Sequence, residues 1–563
     1  MKDTDKARGE HVEVVDDESS GQELDGIVKV VGTVKLTEDH IVYIPTPTAD
    51  PRGTVNTRME FKIWESLSLL GKDPLNMPLW QKTVILVVIS TFATLGVALV
   101  SGFGGIMTFY IPEYSAAGKD YADITALMTY PTLFMGIGNL IGMPLAIGVG
   151  RRIVILGFTL VLILGAALCA VAKTYEWHLA ARMILGLCAG QSEALVPMIT
   201  QELFFLHERS KCLMTQQAIQ VVLTTIYVLF GSPIAGAITP AGWYWLGAGL
   251  AGLQFLIALF LLPETKYDRN QATYQEDSVS ENLGKSDLEA NIELKSTSKV
   301  CKVKPPLDYV HYEARTWKSD MRLWIGEPEW RKAADVLKQT FQFLLFPNVF
   351  WALCINGLTI GVNIAIGTTY GTILTGTPYN WPDTSTSYVN CGQIIVALVG
   401  LPLFGFGSDS LIRWRAKRNN GMHEPETRLI PLVFPVIIGC FTAVLYGQGA
   451  THPEQYHWFV YVWAVAGYYL CFVGANIVAI TYLLDSYPGS SGPLLVIICA
   501  FRGFISFGTS YGTSAFVTRS GYDGAFGIFG ALTAVLGLLG LPVYFWGKNI
   551  RHFTGRFTKS KTD

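Results

Sequence analysis

"RMILGLCAGQSEALVPMITQ", Arg182 to Gln201, is apolar along most of its length. A helix needs about 20 mainly apolar residues to cross bilayer hydrocarbon, and this run is long enough. It nevertheless holds Arg182 near one end and Glu193 near its centre. An ionisable group at membrane depth costs at least about 2.5–3.5 kcal/mol and persists where it faces a partner or a polar cavity. Between the two charges a helix turns through about 1100°, which leaves them within about 20° of one face and about 16 Å apart along the axis. They are too distant to pair directly. One shared face predicts a helix that presents a polar stripe to the centre of a helical bundle.

The flanking sequence repeats this pattern. Half of the 563 residues are hydrophobic and 15% are charged, with a mean hydropathy of +0.35. A soluble domain carries about a quarter charged residues. Here charge is confined to a few places, the mark of a multi-span membrane protein. The net charge of −2 leaves no basic face for nucleic acid. Cys169, Cys188, Cys354 and Cys499 lie in apolar runs with no paired spacing, so they read as packing residues rather than disulfides or metal ligands. Residues 1–81 are polar, with "VVDDESS" and "IPTPTADPRG". They predict a solvated, largely disordered tail with no cleavable signal, so the first span serves as its own insertion signal.

Candidate spans follow at Val84–Phe109, Ile124–Ile147, Ile153–Val171, His178–Gln201, Leu213–Ile238 and Tyr244–Leu262. Six more lie at Val349–Ile373, Tyr388–Phe406, Leu429–Tyr446, Trp458–Leu483, Leu494–Val517 and Ala525–Phe545. The expectation is an all-α membrane protein of twelve transmembrane helices in two six-helix halves, 82–265 and 339–547. The polar stretch 266–338 joins the halves, and a basic tail, 548–563, ends the chain. One set of loops carries Arg151 and Arg152, then Arg209 and Lys211, then Arg413, Arg415, Lys417 and Arg418. The tail adds Lys548, Arg551, Arg556, Lys559 and Lys561 to that set. The opposite loops carry Lys119, Lys173 and Arg519 alone. Basic loops belong on the cytoplasmic side. Both termini and the central loop are therefore expected in the cytoplasm, which requires an even number of spans. Aromatic residues at span ends, as in "GWYW" and "YNW", fit interfacial belts.

Six plus six spans about a cytoplasmic loop resemble the major facilitator superfamily. That family has a Gly-x-Leu-Ala-Asp-x-x-Gly-Arg-Arg pattern after span 2. Here "GMPLAIGVGRR" keeps Leu145, Ala146, Gly150, Arg151 and Arg152, has its first glycine one residue early at Gly142, and places Ile147 where the acid belongs. "GFGSDSLIRWRAKR" is the counterpart after span 8 and retains Asp409. The resemblance implies a cytoplasmic latch between the halves, asymmetric because the first acid is missing; a plain positive-inside anchor also accounts for these arginines. Arg182, Gly186 and Gly190 match the family's span 4 pattern. "GSPIAGA", Gly231 to Ala237, resembles the span 5 signature of proton antiporters, with Ser232 and Ala237 replacing two glycines. Pro233 frees a carbonyl and bends the helix, and the small residues admit a close neighbour, for gating or for packing alone. "DPLNMPLWQK", "HERSK" and "PETKYDR" look like the fungal twelve-span drug:proton antiporter branch.

A carboxyl that alternates between apolar and wet surroundings can bind a proton on one side and release it on the other. Glu193 is the first candidate for that role, with Arg182 as a charge that tunes it or orients substrate. The alternative is a helix-helix hydrogen bond. Arg502, in "AFRGFISF" of span 11, is the other mid-span charge; it is a cavity candidate that could pair with Glu193 across the halves or meet an anionic substrate group. Candidates to line a cavity are Asn139, Gln191, Gln217, Gln220, Asn356, Asn363, Gln393, Tyr469 and Asn476. Glu113, at the end of span 1, is the next acid in line.

Enzyme readings fail. "GTSYG" lies in a membrane helix without a strand-turn-helix context. "HERSK" lacks the second histidine of a zinc motif, and no Gly-rich loop ends in Lys-Ser/Thr. No cofactor or metal is expected. The leading expectation is a proton-coupled exporter of small amphipathic organic molecules, such as a fungal secondary metabolite, toxin or drug, working by alternating access. A proton symporter importing small nitrogenous or cationic solutes, and a membrane sensor that does not transport, remain as alternatives. Expected partners are the lipid bilayer, protons and a small-molecule substrate. The resemblance implies a monomer, and the expected location is the plasma membrane.

Overall fold

The computed structural model describes residues 34–35, 74, 77–204, 206–266, 321–322, 328–418, 422–487 and 490–558. The expected amino-terminal tail and central loop lie mostly outside these residues, as do Lys559 and Lys561. Apart from a two-residue antiparallel pairing of β1 (Val34–Lys35) with β2 (Met422–His423), every described element is helical.

The first half runs through α1 (Leu79–Ser101), α2 (Phe103–Ala116), α3 (Tyr121–Gly148), α4 (Arg151–Val171), α5 (Tyr175–Leu203), α6 (Leu206–Leu229), α7 (Gly231–Ile238) and α8 (Pro240–Leu261). A surface helix, α9 (Trp330–Phe343), leads into the second half. That half holds α10 (Pro347–Thr375), a 3-10 helix (Asp383–Asn390), α11 (Cys391–Arg418), a second 3-10 helix (Pro425–Leu432), α12 (Val433–Thr451), α13 (Phe459–Ser486), α14 (Ser491–Leu538) and α15 (Gly540–Thr558). Ten stretches among the described residues are long and apolar enough to cross a membrane. The last of these contains Gly521 at φ 72°, a non-helical residue that separates two spans, and α11, outside these ten, lies where the eighth span is expected. The expected twelve spans are all present.

Two spans are interrupted where hydropathy showed continuous runs. Span 1 breaks at Gly102, where a Cβ would lie 2.7 Å from the Trp243 ring. Span 5 breaks at Phe230, just ahead of Pro233. Several helices overrun their apolar cores, as α11 does through "IRWRAKR" to Arg418. Hydropathy sees the hydrocarbon crossing, whereas the backbone ladder continues into water.

Many large apolar side chains point outward, including Leu164 at 61% and Phe545 at 72% exposure. In water such a surface would drive aggregation; in a bilayer it is the solvated face. Inside, helices meet at backbone contact through glycine. A Cβ on Gly138 would lie 2.1 Å from the Leu187 carbonyl oxygen, and one on Gly190 would lie 2.3 Å from that of Met135, so α3 and α5 pack without intervening side chains. The halves meet the same way, with a Cβ on Gly136 of α3 2.6 Å from the Ala500 carbonyl oxygen of α14. Small residues permit this approach, which dispersion forces reward in lipid.

Candidate functional site

Glu193 on α5 and Arg502 on α14 form an ion pair that joins the first half to the second. Arg502 also donates to Asn476 Oδ1 at 3.1 Å, and Asn356 donates to the same oxygen at 3.0 Å. Glu193, Arg502, Asn476 and Asn356 are thus one cluster. About 15 Å of helix separates Glu193 from the end of α5, and about 16 Å separates Arg502 from the start of α14, so the pair lies deep in the bundle. The carboxylate keeps 14% of its side-chain exposure against 4% for the guanidinium. Pro197 has no N–H for the Glu193 carbonyl one turn earlier. The Cys499 thiol, from α14, approaches that oxygen at 3.5 Å and donates to it.

Arg182 is placed elsewhere. Its side chain is fully buried within the first half, over the Phe103 ring at 4.2 Å. Nε donates to the Leu127 carbonyl at 2.6 Å, Nη2 to Val100 at 2.8 Å, and Nη1 to Leu99 at 3.5 Å and to the Tyr244 hydroxyl at 2.9 Å. Each carbonyl has a reason to need a donor. Pro131 cannot serve Leu127, and Leu99 and Val100 are last-turn carbonyls of α1, orphaned by the break at Gly102. Tyr244 continues to His178 at 3.0 Å, and His178 to Tyr114 at 2.8 Å. The expected shared face therefore splits: Glu193 meets the other half, and Arg182 stitches α1, α3 and α8 together.

A third proline makes a further contact between the halves. Pro233 leaves the Leu229 carbonyl without a helical donor, and the Ser387 hydroxyl donates to it at 2.7 Å. Ser387 belongs to the 3-10 helix Asp383–Asn390 of the second half. Ser232 donates to the Gly105 carbonyl at 2.6 Å and accepts from the Ser387 N–H at 3.0 Å, with Thr386 Oγ1 at 3.1 Å. Gly236 adds closeness, since a Cβ there would lie 2.4 Å from Thr384. Serine in place of the expected glycine thus gives this clasp its central hydroxyl.

At the end of the bundle that carries the basic loops, the acid absent at Ile147 is supplied from the segment just past α8. Glu264, in "PETKYDR", accepts the backbone N–H groups of Arg151 at 2.9 Å and Arg152 at 3.1 Å, an anion at the N-terminus of α4. Gly150 has φ 146°, and a Cβ there would lie 2.6 Å from this carboxylate. Arg151 pairs with Glu202 at 2.6 Å, and Arg152 donates to the carbonyls of Leu259, at 2.7 Å, and Met321. These bonds tie the two arginines to α5, to α8 and to Met321. Lys266 donates to the Gly148 carbonyl at 2.7 Å; burial pushes its ammonium below the ordinary value, with Glu329 acting the other way. Asp409 lies on α11, with its side chain outside the described residues. In the second half, Arg551 and Glu426 form a buried bidentate pair at 2.8 Å.

The remaining candidates divide between packing and the interior. Gln191 donates to the Gly138 carbonyl at 2.5 Å and Asn139 to that of Met135 at 3.1 Å, bonds between or along helices of the first half. Gln220 accepts from Gln216 at 2.9 Å, and Gln393 donates to Asn390 at 3.1 Å. Gln217, Asn363 and Tyr469 are half-buried on α6, α10 and α13. Sequence reasoning gave no role to Glu264, Glu202, Ser232 or Ser387. "PET" carried a signal, as an acid just past an apolar run; the serines carried none.

Residues 92–493 match the family described as Major Facilitator Superfamily. An uncharacterized MFS-type transporter of Schizosaccharomyces pombe is 25% identical over 86% of this chain and 87% of its own length. Protein HOL1 of Saccharomyces cerevisiae is 24% identical over 96% of this chain and 95% of its own. The human organic anion transporter MFSD10 superposes with a TM-score of 0.51 at 12% identity, covering 82% of this chain and all of its own. With the twelve-span fold and these matches together, the chain belongs to the Major Facilitator Superfamily and is a membrane transporter, not an enzyme.

Proposed function

We propose that this transporter is proton-coupled, with Glu193 as the proton site, and that it exports small amphipathic organic molecules by alternating access. The observation that carries the reading is the Glu193–Arg502 pair, which ties span 4 to span 11 deep in the bundle. A proton on Glu193 removes the attraction and leaves Arg502 to Asn476, so the two halves are freed to rock about the site. The weakened antiporter signature in span 5 supports export. A second reading, import of small nitrogenous cations by symport, is favoured by the same acid, because an ammonium can take the place of Arg502. The test uses vesicles holding the purified protein, an imposed pH gradient and a fluorescent amphipathic dye. Export by exchange predicts dye movement against the proton flow, and symport predicts movement with it. Metabolite profiling of a deletion strain then identifies the natural substrate.

The reading places the protein in the plasma membrane as a monomer, with halves at 82–265 and 339–547 and both termini in the cytoplasm, on the lysine and arginine bias of its loops. Protease added to sealed, right-side-out cells should spare an epitope inserted between Lys266 and Lys338. Cleavage there would reverse the orientation.

Replacing Pro233 by leucine should leave the protein inserted and slow its transport by about threefold to tenfold. Leucine restores an N–H that competes with Ser387 for the Leu229 carbonyl, a contact worth about 1 kcal/mol. Wild-type flux in this variant would reduce the clasp to packing.

A further inference from the structure

Helix α9 has three faces, set by about 100° of rotation per residue. On the first, Ala333, Thr340 and Phe343 are buried. The Thr340 hydroxyl lies 3.5 Å from the Pro493 carbonyl beside the start of α14, and the Glu329 N–H donates to Gly148 at the end of α3 at 3.2 Å. The helix therefore lies across the basic-loop ends of one span from each half. The second face is apolar and open, with Trp330 at 60% and Phe341 at 53% exposure, and Ala334 and Leu337 between them. Leu345, just past the helix, is 80% exposed and extends the stripe. On the third face, Arg331 and Lys338 are exposed and border one side of that stripe within about 60° of it, with exposed Asp335 farther round.

We propose that the apolar face of α9 rests in the headgroup layer of the bilayer and that Arg331 and Lys338 contact anionic lipid headgroups. Three observations converge on lipid as the occupant. Leu345 and then Phe350, 80% and 48% exposed, carry the open apolar surface from α9 onto the membrane-crossing α10. Trp330 at its far end has the amphipathic ring that interfaces select. The cations border the apolar stripe, where their long stems can reach headgroups while the stripe is buried. They also lie at the end of the bundle where the basic loops gather, and the cytoplasmic leaflet is the anionic one.

The test is amide hydrogen exchange of α9 in the full chain, held in nanodiscs of phosphatidylcholine alone or with about a third phosphatidylserine. Anionic lipid should slow exchange across Trp330–Phe343 by about tenfold or more. The double variant Arg331→Gln with Lys338→Gln changes two exposed residues and should abolish that difference. Equal exchange in the two lipids, or a difference that survives in the double variant, would overturn the charge contact. A fluorescent amino acid at position 341 should be quenched by lipid bearing a nitroxide near its headgroup. An unquenched probe would show that water or another part of the chain covers this face, and would overturn the proposal.

Discussion

Glu193→Gln is expected to abolish proton-driven net transport while the protein still reaches the membrane. The amide keeps the shape of the side chain and can accept from Arg502, but it cannot titrate. Removing one charge of a buried pair typically costs about 3–5 kcal/mol, and the retained hydrogen bond should hold the cost to the lower end. Net flux under a pH gradient should fall to the level of protein-free vesicles, because no titrating group is left at this site to carry the proton. Substrate exchange without a gradient should persist, because exchange needs only a loaded carrier that reorients. Glu193→Asp, one methylene shorter, should keep partial activity with a changed pH profile. A purely structural Glu193 predicts near-normal flux in the glutamine variant, because an amide also bonds between helices. In that case the role would pass to Glu113.

Arg182→Met should cost folded protein instead of coupling. Its guanidinium serves three backbone carbonyls and a tyrosine from full burial. Methionine fills much of the volume and donates nothing, which strands the Leu127, Val100 and Leu99 oxygens in a medium without water. At about 1.5–3 kcal/mol for each bond to a charged donor, the loss is about 5 kcal/mol or more. Thermal stability in detergent should drop sharply, with little protein recovered. The fraction that folds should keep its proton coupling. Arg182→Lys should fall between, since an ammonium lacks the planar fork that spans α1, α3 and α8. Normal stability with lost coupling would return Arg182 to the proton pathway.

The twelve spans were legible because each apolar run is about as long as the hydrocarbon is thick. The pairing of Glu193 with Arg502 was legible as a possibility, since mid-span charges are rare and must find partners. The destination of Arg182 was not. It depends on a helix break at Gly102 inside a run that hydropathy reads as continuous, and on which neighbour lies beside Pro131. Prolines were visible in the sequence, but the donors that repair their freed carbonyls come from distant positions: Arg182 for Leu127, Ser387 for Leu229 and Cys499 for Glu193. Two of these three repairs cross between the halves. Serine and cysteine are too common in membrane helices for such pairings to be read without coordinates. Glu264 was visible only as part of "PET", and its role depends on the positive φ at Gly150 that turns the α4 N-terminus toward it.

The protonation of Glu193 itself is the most direct test. Infrared difference spectroscopy of the reconstituted protein, with isotope-labelled glutamate carboxyls, reports a protonated carboxyl as a distinct band. The account predicts a labelled band that grows as the medium is acidified, is altered by a transported substrate and is missing from Glu193→Gln. An identical band in that variant, or none in the wild-type protein across the working pH range, would contradict Glu193 as the proton carrier.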